Sequence, residues 1–397
     1  LARILTYCGY KVSREYYIND EGVQMGILGN SVKARFKELL GEAVEFPENG
    51  YKGAYIREIA KEIHDLQQSK KSALKESFFT EYAYKWIMQS IKKDLEDFGV
   101  HFDVWFSQKK LSTAKKIEKA LSFLKDKGFV YEKDGASWFQ STRFGDDKDR
   151  VVVKSDGSFT YLAPDIAYHK EKFERGYNKV INIWGPDHHG YINRLKAACQ
   201  ALGIDKDRVS ILISQLVTLF RDKKPVKMST REGEFITLRQ VMDEVGKDAG
   251  RFFFLMRRTD SHLDFDLGLA KAKTMDNPVY YIQYAHARIT SVINFSDNTK
   301  PDLKNLHLLD KEHEINIIKT LLSFPKTIES SARNLEPYTL LSYLQDLASL
   351  FHSYYDSYRV VTDNKALTKA RMALITAIKT VLVNGLSLLG VSVPDKM

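Results

Sequence analysis

Apolar residues recur along this chain with two periods, and the alternation between them divides it. The first ten residues, LARILTYCGY, place Leu1, Ile4 and Leu5 on one helical face and stop at Gly9, a suitable C-terminal cap. KVSREYYIND then sets Val12, Tyr16 and Ile18 among polar residues as a strand does, and an Asn-Asp-Glu-Gly turn follows at 19–22. Helical spacing returns with Ile56, Ile59, Ile63 and Leu66, and again with Ile87, Ile91, Leu95 and Phe98. These predict two amphipathic helices with solvated Lys/Glu faces.

From about residue 101 short strands take over. HFDVWF reads as one, and VVVKSDGSFTYL as a hairpin around Asp156-Gly157. KVINIW is a compact apolar strand, GPDHHG a loop, and YINRLKAACQALG a helix closed by Gly203. RVSILIS is a further strand, and a helix opens at Thr237, where Gln240 completes a capping box. Strand, loop and helix in repetition predict a parallel α/β sheet, whose ligands bind at the carboxyl ends of the strands. RFFFLMRR and LDFDLGL read as connectors.

From Asn277 the pattern is helical, apart from a polar interruption at NFSDNTKPDLKN. The last helix aligns Met372, Ile375, Ile378, Leu382, Leu386 and Leu389 on one side. The predicted plan is an α/β domain over 1–245 with a helical insertion at about 50–100. A connector follows over 246–276, then an all-helical bundle over 277–397.

A chain of 397 residues suits two or three domains. No run of 18 apolar residues occurs, so no membrane span is expected. Cys8 and Cys199 belong to no C-x-x-C pair, which argues against a disulfide framework and against structural zinc, and predicts a cytoplasmic protein. Sixty Lys and Arg against 51 Asp and Glu give +9, and aromatics make up 12%. That balance raises the prior for a polyanionic partner.

Two loops carry candidate chemistry. In PVKMSTREGEF, Lys227, Ser229, Thr230 and Arg231 crowd near Gly233 just before the Thr237 helix start. No G-x-x-x-x-G-K is present, so any phosphates are held another way. A cationic loop of this kind suits nucleotidyl transfer, which needs positioning and charge neutralisation more than covalent chemistry. The second loop, DHHG at 187–190, contains metal-donor residue types. Three adjacent residues after a strand cannot all face one ion, although a metal-dependent phosphoesterase with an Asp-His-His triplet is an alternative. As a Gly-flanked turn at a strand end it also suits close approach to a base or ribose.

The strings REYYINDEG, FDVWF, YLAPDIAYH, GPDHHGYINRLKAA, PVKMSTREGEF, DSHLDFDLGLA and NPVYYIQYAHAR resemble, in the same order, the arginyl-tRNA synthetases of class I. The resemblance runs from Leu1 to Met397. It implies an incomplete Rossmann-like catalytic domain with a helical insertion, followed by an all-α anticodon-binding bundle. The implied reaction activates L-arginine with ATP, accompanied by Mg²⁺, and transfers it from arginyl-adenylate to tRNA(Arg).

The same resemblance implies catalytic roles on the phosphates for Lys227, Ser229 and Arg231, with Met228 beside them, and places His188, His189 and Gly190 next to the adenosine. It puts Tyr161, Asp165, Asn19 and Gln108 in the arginine pocket. A guanidinium calls for a carboxylate that it can bond in a fork, with an aromatic neighbour to fix its plane. Gln108 stands where the family usually has glutamate, and the family's His-x-Gly-His signature is absent. That signature lies just upstream of the segment that LARILTYCGY resembles, so the natural polypeptide is expected to extend further upstream.

The bundle resembles the family's anticodon-binding domain, with its Asp-Ala-Leu-Arg string blurred around KARMALITA. Tyr354, Tyr355 and Tyr358 are implied to stack on anticodon bases, one or more of them being core instead, while Tyr284, His286 and Arg288 are implied stem contacts. A monomer is expected. A non-catalytic RNA-binding paralogue would share these folds and is the other alternative.

Overall fold

The computed structural model describes residues 1–70, 74–226, 235–296 and 300–397. Helix α1 (Ala2–Tyr7) buries Ile4 and Leu5, and the chain reverses at Gly9, whose φ of 90° few other residues tolerate. Strand β1 (Glu15–Ile18) pairs in parallel with β2 (Val104–Ser107), Glu15 facing Val104 and Ile18 facing Ser107. Three helices form the crossover between them: α2 (Val23–Leu39), α3 (Ala54–Lys70) and α4 (Glu76–Asp97). This helical unit begins at Val23, earlier than residue 50. Its first helix is signalled by Leu28, Val32 and Phe36, four residues apart, which are buried against Ile56, Ile59, Ile63, Phe79 and Ala83. Gly29 lets α2 lie close on α4, where a Cβ would come within 3.1 Å of the Thr80 Cα.

After β2 come α5 (Lys109–Thr113) and α6 (Lys116–Asp126), then an antiparallel sheet of β3 (Val130–Lys133), β4 (Ala136–Phe139) and β5 (Arg150–Val153). Asp134 and Gly135, at φ of 53° and 74°, make the tight turn between β3 and β4. That Asp-Gly signal is the same kind as Asp156-Gly157, where the strand returns only as the single bridge Val153–Phe159. Helix α7 (Leu162–Glu174) leads to β6 (Val180–Trp184), α8 (Ile192–Ala201) and β7 (Val209–Ile213). Strands β6 and β7 are parallel from Val180–Val209 to Trp184–Ile213, which makes this a βαβ unit.

Strand β8 (Val217–Arg221) turns back through Asp222 and Lys223, both at positive φ, into β9 (Lys224–Pro225). Helices α9 (Leu238–Val245) and α10 (Lys247–Phe254) follow, and the Thr237 capping box with Gln240 is present. LDFDLGL is not a connector: it forms β10 (Leu263–Asp266), parallel to β8, and runs directly into α11 (Leu267–Lys271). Its alternation is that of a half-buried strand, with Leu263 and Phe265 inside and Asp264 outside.

Asn277 caps α12 (Pro278–Phe295), which packs with α13 (Glu312–Asn334), α14 (Pro337–Ser357) and α15 (Lys365–Leu389). The apolar stripe of α15 is buried as its spacing predicts. By length and a mean hydropathy of 1.8 this helix could cross a membrane, which the expectation of no span did not foresee. Its hydropathy has a packing cause, because the stripe fills the bundle, and each such side chain contributes about 1.5–3 kcal/mol. Arg371 on its buried side is paired with Glu314 at 2.9 Å. The core is continuous from the bundle to Phe252 and Phe265 of the sheet domain. Arg251 also joins the units, donating to the end carbonyls of α4 at Phe98 (3.0 Å) and of α15 at Leu389 (3.0 Å).

Candidate active site

The carboxyl ends of β1 and β2 bring several polar side chains together. The Gln108 backbone N–H extends the ladder to Ile18 O at 3.0 Å, and its side-chain Oε1 accepts from the Tyr17 hydroxyl at 3.0 Å. The turn after β1 is pinned rather than loose. Asp20 accepts from Ser107 Oγ (2.5 Å) and Lys109 N (3.0 Å), and Glu21 accepts from Ser112 Oγ (2.7 Å). Asn19 is thereby presented, exposed, at the strand end.

Asp165 lies in the first turn of α7, where a carboxylate is favoured by the helix dipole. Burial pushes its carboxyl above the usual range, while Tyr191, Lys172 and His188 oppose that rise. The Tyr191 phenol is raised by burial and then by Asp165, and Tyr17 is raised by burial and then by Asp165, Asp20 and Glu21. The buried Tyr191 hydroxyl has no hydrogen bond of acceptable geometry, so a polar atom beside Asp165 stands ready for a ligand. Tyr161, by contrast, is 86% exposed at the mouth of α7. The rings that flank Asp165 are Tyr17 and Tyr191, which sequence reading did not single out. Tyr17 belongs to a half-buried strand and Tyr191 ends the DHHG turn, positions that motif spacing alone does not reveal.

Beyond β6 the chain makes a 3₁₀ turn over Pro186–Tyr191, exposing His188, His189 and Gly190 beside Trp184. The Trp184 and His188 rings are 5.7 Å apart. Lys227, Met228, Ser229 and Arg231 lie outside the described residues. In sequence they fall between the β8–β9 hairpin and the Thr237 cap. Arg239, two residues past that cap, grips Asp94 (2.9 and 2.7 Å) and Asp97 (2.5 Å) of α4. Among the described residues no three His, Cys, Asp or Glu side chains are grouped to hold a metal ion.

In the bundle the candidate RNA contacts separate by burial. Tyr354 is fully buried and donates to Glu314 Oε1 at 3.2 Å, and His286 is 2% exposed with Nδ1 3.0 Å from Pro394 O. Both are corrected to core, because neither ring can reach a base from the interior. Tyr358 is half-buried, stacked on Tyr354, with the Arg371 guanidinium 5.5 Å from its ring. Arg288 lies between the Tyr284 and Tyr355 rings, 4.8 and 4.7 Å from their centroids. Tyr280, stacked on Tyr284 at 5.9 Å, extends this strip and was not predicted.

Residues 1–261 match the family described as tRNA synthetases class I (R), catalytic domain, and residues 282–397 match the DALR anticodon binding domain. The chain is 50% identical to the arginine–tRNA ligase of Desulfosudis oleivorans and 47% identical to that of Bacillus subtilis, covering all of this chain and 73% of each relative. A solved structure from Campylobacter jejuni assigned to the arginyl-tRNA synthetases superposes with a TM-score of 0.89 at 35% identity, covering 100% of this chain and 87% of that one. Thermus thermophilus arginyl-tRNA synthetase shares the fold, with a TM-score of 0.76 at 19% identity, over 100% of this chain and 78% of that one.

Proposed function

We propose a mechanism from one premise: this chain belongs to the class I arginyl-tRNA synthetases, and its activity is that of an arginine–tRNA ligase. Arginine, ATP and tRNA are therefore its partners. The match across residues 1–261 leaves the phosphoesterase reading of DHHG without support.

The observation that carries the site assignment is a half-buried, desolvated carboxylate, Asp165 in the first turn of α7, whose charge acts on the phenols of Tyr17 and Tyr191. In this reading the substrate's guanidinium bonds Asp165 in a fork, with Tyr17 and Tyr191 on either side. The Gln108 amide oxygen accepts one N–H, and Asn19 meets the α-amino end. The exposed Tyr161 closes over the substrate only on rearrangement.

ATP lies with its adenosine near His188, His189 and Gly190. Lys227, assisted by Ser229 and Arg231 with Met228 alongside, neutralises the phosphates. An arginine carboxylate oxygen attacks the α-phosphorus, the bond to the bridging oxygen breaks, and pyrophosphate leaves. The terminal ribose hydroxyl of tRNA(Arg) then attacks the activated carbonyl and AMP departs. Magnesium, carried on the triphosphate, would add charge neutralisation there.

The resemblance extends the reading to a cytoplasmic monomer. The test of the reading is tRNA-dependent incorporation of labelled arginine by the purified protein, compared with Asp165→Asn. Tight tRNA binding without ATP–pyrophosphate exchange would instead favour an RNA-binding paralogue.

A further inference from the structure

Asp165, His169 and Lys172 follow one another at helical spacing along the inner face of α7, and β6 contributes Asn182 beside them. The Lys172 Nζ donates to Asn182 Oδ1 at 3.1 Å. The Asn182 Nδ2 is 3.1 Å from His169 Nε2, and His169 Nδ1 is 2.9 Å from the Asp165 carbonyl oxygen. An ammonium can only donate, so the Asn182 oxygen must accept and its NH₂ must donate to Nε2. The imidazole proton then sits on Nδ1 and is given to Asp165 O. One cation thus fixes the amide orientation, the histidine tautomer and the first turn of α7.

His169 and Asn182 are 2% and 8% exposed. Lys172 is only partly buried as a whole, yet its ammonium is strongly desolvated, which lowers its proton affinity to about 8, and it sits 3.9 Å from the Tyr168 ring centroid. The groups that face Asp165 are Tyr17 from β1, His188 and Tyr191 from the 3₁₀ turn, Cys199 from α8 and Lys172 from its own helix. Both phenols and the Cys199 thiol, pushed up to about 12, are neutral near pH 7. The nearby Glu15 is balanced by Arg175, at 2.6 and 3.1 Å.

We propose that Lys172 is a positioning residue for arginine selection: it orders the Asn182–His169 chain behind the pocket, and its charge balances the Asp165 carboxylate that receives the guanidinium. This rests on the reading of Asp165 as the guanidinium partner. Removing the charge leaves a desolvated carboxylate that takes up a proton more readily, and a protonated Asp165 no longer pairs with the substrate.

The test is steady-state kinetics of the complete enzyme between pH 6 and 9, varying arginine and ATP separately, for wild type, Lys172→Met, Lys172→Arg and Asp165→Asn. Lys172→Met should raise the arginine KM most at the acid end of this range, because a desolvated Asp165 without its neighbouring cation takes up a proton more readily. The ATP KM should stay in place. The deficit should narrow toward pH 9, where Asp165 is ionised with or without the cation, and Lys172→Arg, which stays charged, should match wild type at the acid end. If the methionine variant does not fold, Lys172→Gln, which still donates to Asn182, gives the same reading. A deficit equal at every pH, or one shared by ATP, would overturn the proposal and leave Lys172 a packing role. If Asp165→Asn raises the arginine KM while the uncharged Lys172 variants do not, the Lys172 inference alone fails. If Asp165→Asn itself leaves arginine use intact, the pocket reading fails.

Discussion

Tyr17 donates its hydroxyl proton to Gln108 Oε1 at 3.0 Å across the ends of the parallel pair β1–β2. The amide accepts this bond and brings no charge, so in the proposed pocket the charge partner of the guanidinium is Asp165. Gln108→Glu should keep the bond from Tyr17, add a second negative charge to the pocket and lower the arginine KM severalfold. An unchanged or higher KM would place residue 108 outside the pocket.

His169 is neutral in the fold, its proton affinity pushed down to about 3 by burial, then by Lys172. An unfolded histidine titrates near ~6.5, so the unfolded chain binds an extra proton as pH falls through the window between those values. Stability should therefore decline over that window, and His169→Gln should flatten the decline. Chemical denaturation at several pH values between 4 and 7 reads this directly. Parallel curves for the two proteins would mean that His169 is solvated in the native state.

Gly29→Ala should destabilise the helical crossover, because the added methyl meets the Thr80 backbone as well as its side chain. Overpacking of this kind costs about 1–3 kcal/mol. The melting temperature should fall, with arginylation retained at low temperature. A neutral result would show that α2 and α4 can separate freely.

The half-buried strip of Tyr280, Tyr284, Arg288 and Tyr355 is the surface to test for RNA. Replacing Tyr284, Arg288 and Tyr355 together by alanine should weaken tRNA binding, by about 1–3 kcal/mol for each lost stacking contact. Tyr354→Phe should instead lower stability with tRNA affinity kept, since its hydroxyl serves the buried Glu314. Filter binding with both variants separates the roles, and equal loss in both would contradict the division.

Much of this architecture is written in periodicity. The α15 stripe, the Thr237 capping box and the β6–α8–β7 unit appear where spacing and turn residues put them. LDFDLGL was misread because a four-residue strand running directly into a helix has no turn signal to set it apart. Burial of Tyr354 and His286 was equally hidden, since an aromatic residue on a helix has the same sequence signature whether it faces RNA or core. The candidate pocket was only partly legible. Asp165 stands out by motif and Lys172 lies two turns further along the same helix, but Tyr17 and Tyr191 join them only through the tertiary approach of β1 and the 3₁₀ turn to α7.

The most direct measurement compares arginine with citrulline, its uncharged isostere, as substrates for wild type and Asp165→Asn. Removing one partner of a buried charge pair costs roughly 2–5 kcal/mol. Wild type should therefore prefer arginine strongly in kcat/KM, and Asp165→Asn should lose most of that preference while its ATP KM stays the same. Undiminished preference for arginine in Asp165→Asn would contradict the assignment of Asp165 as the residue that reads the guanidinium.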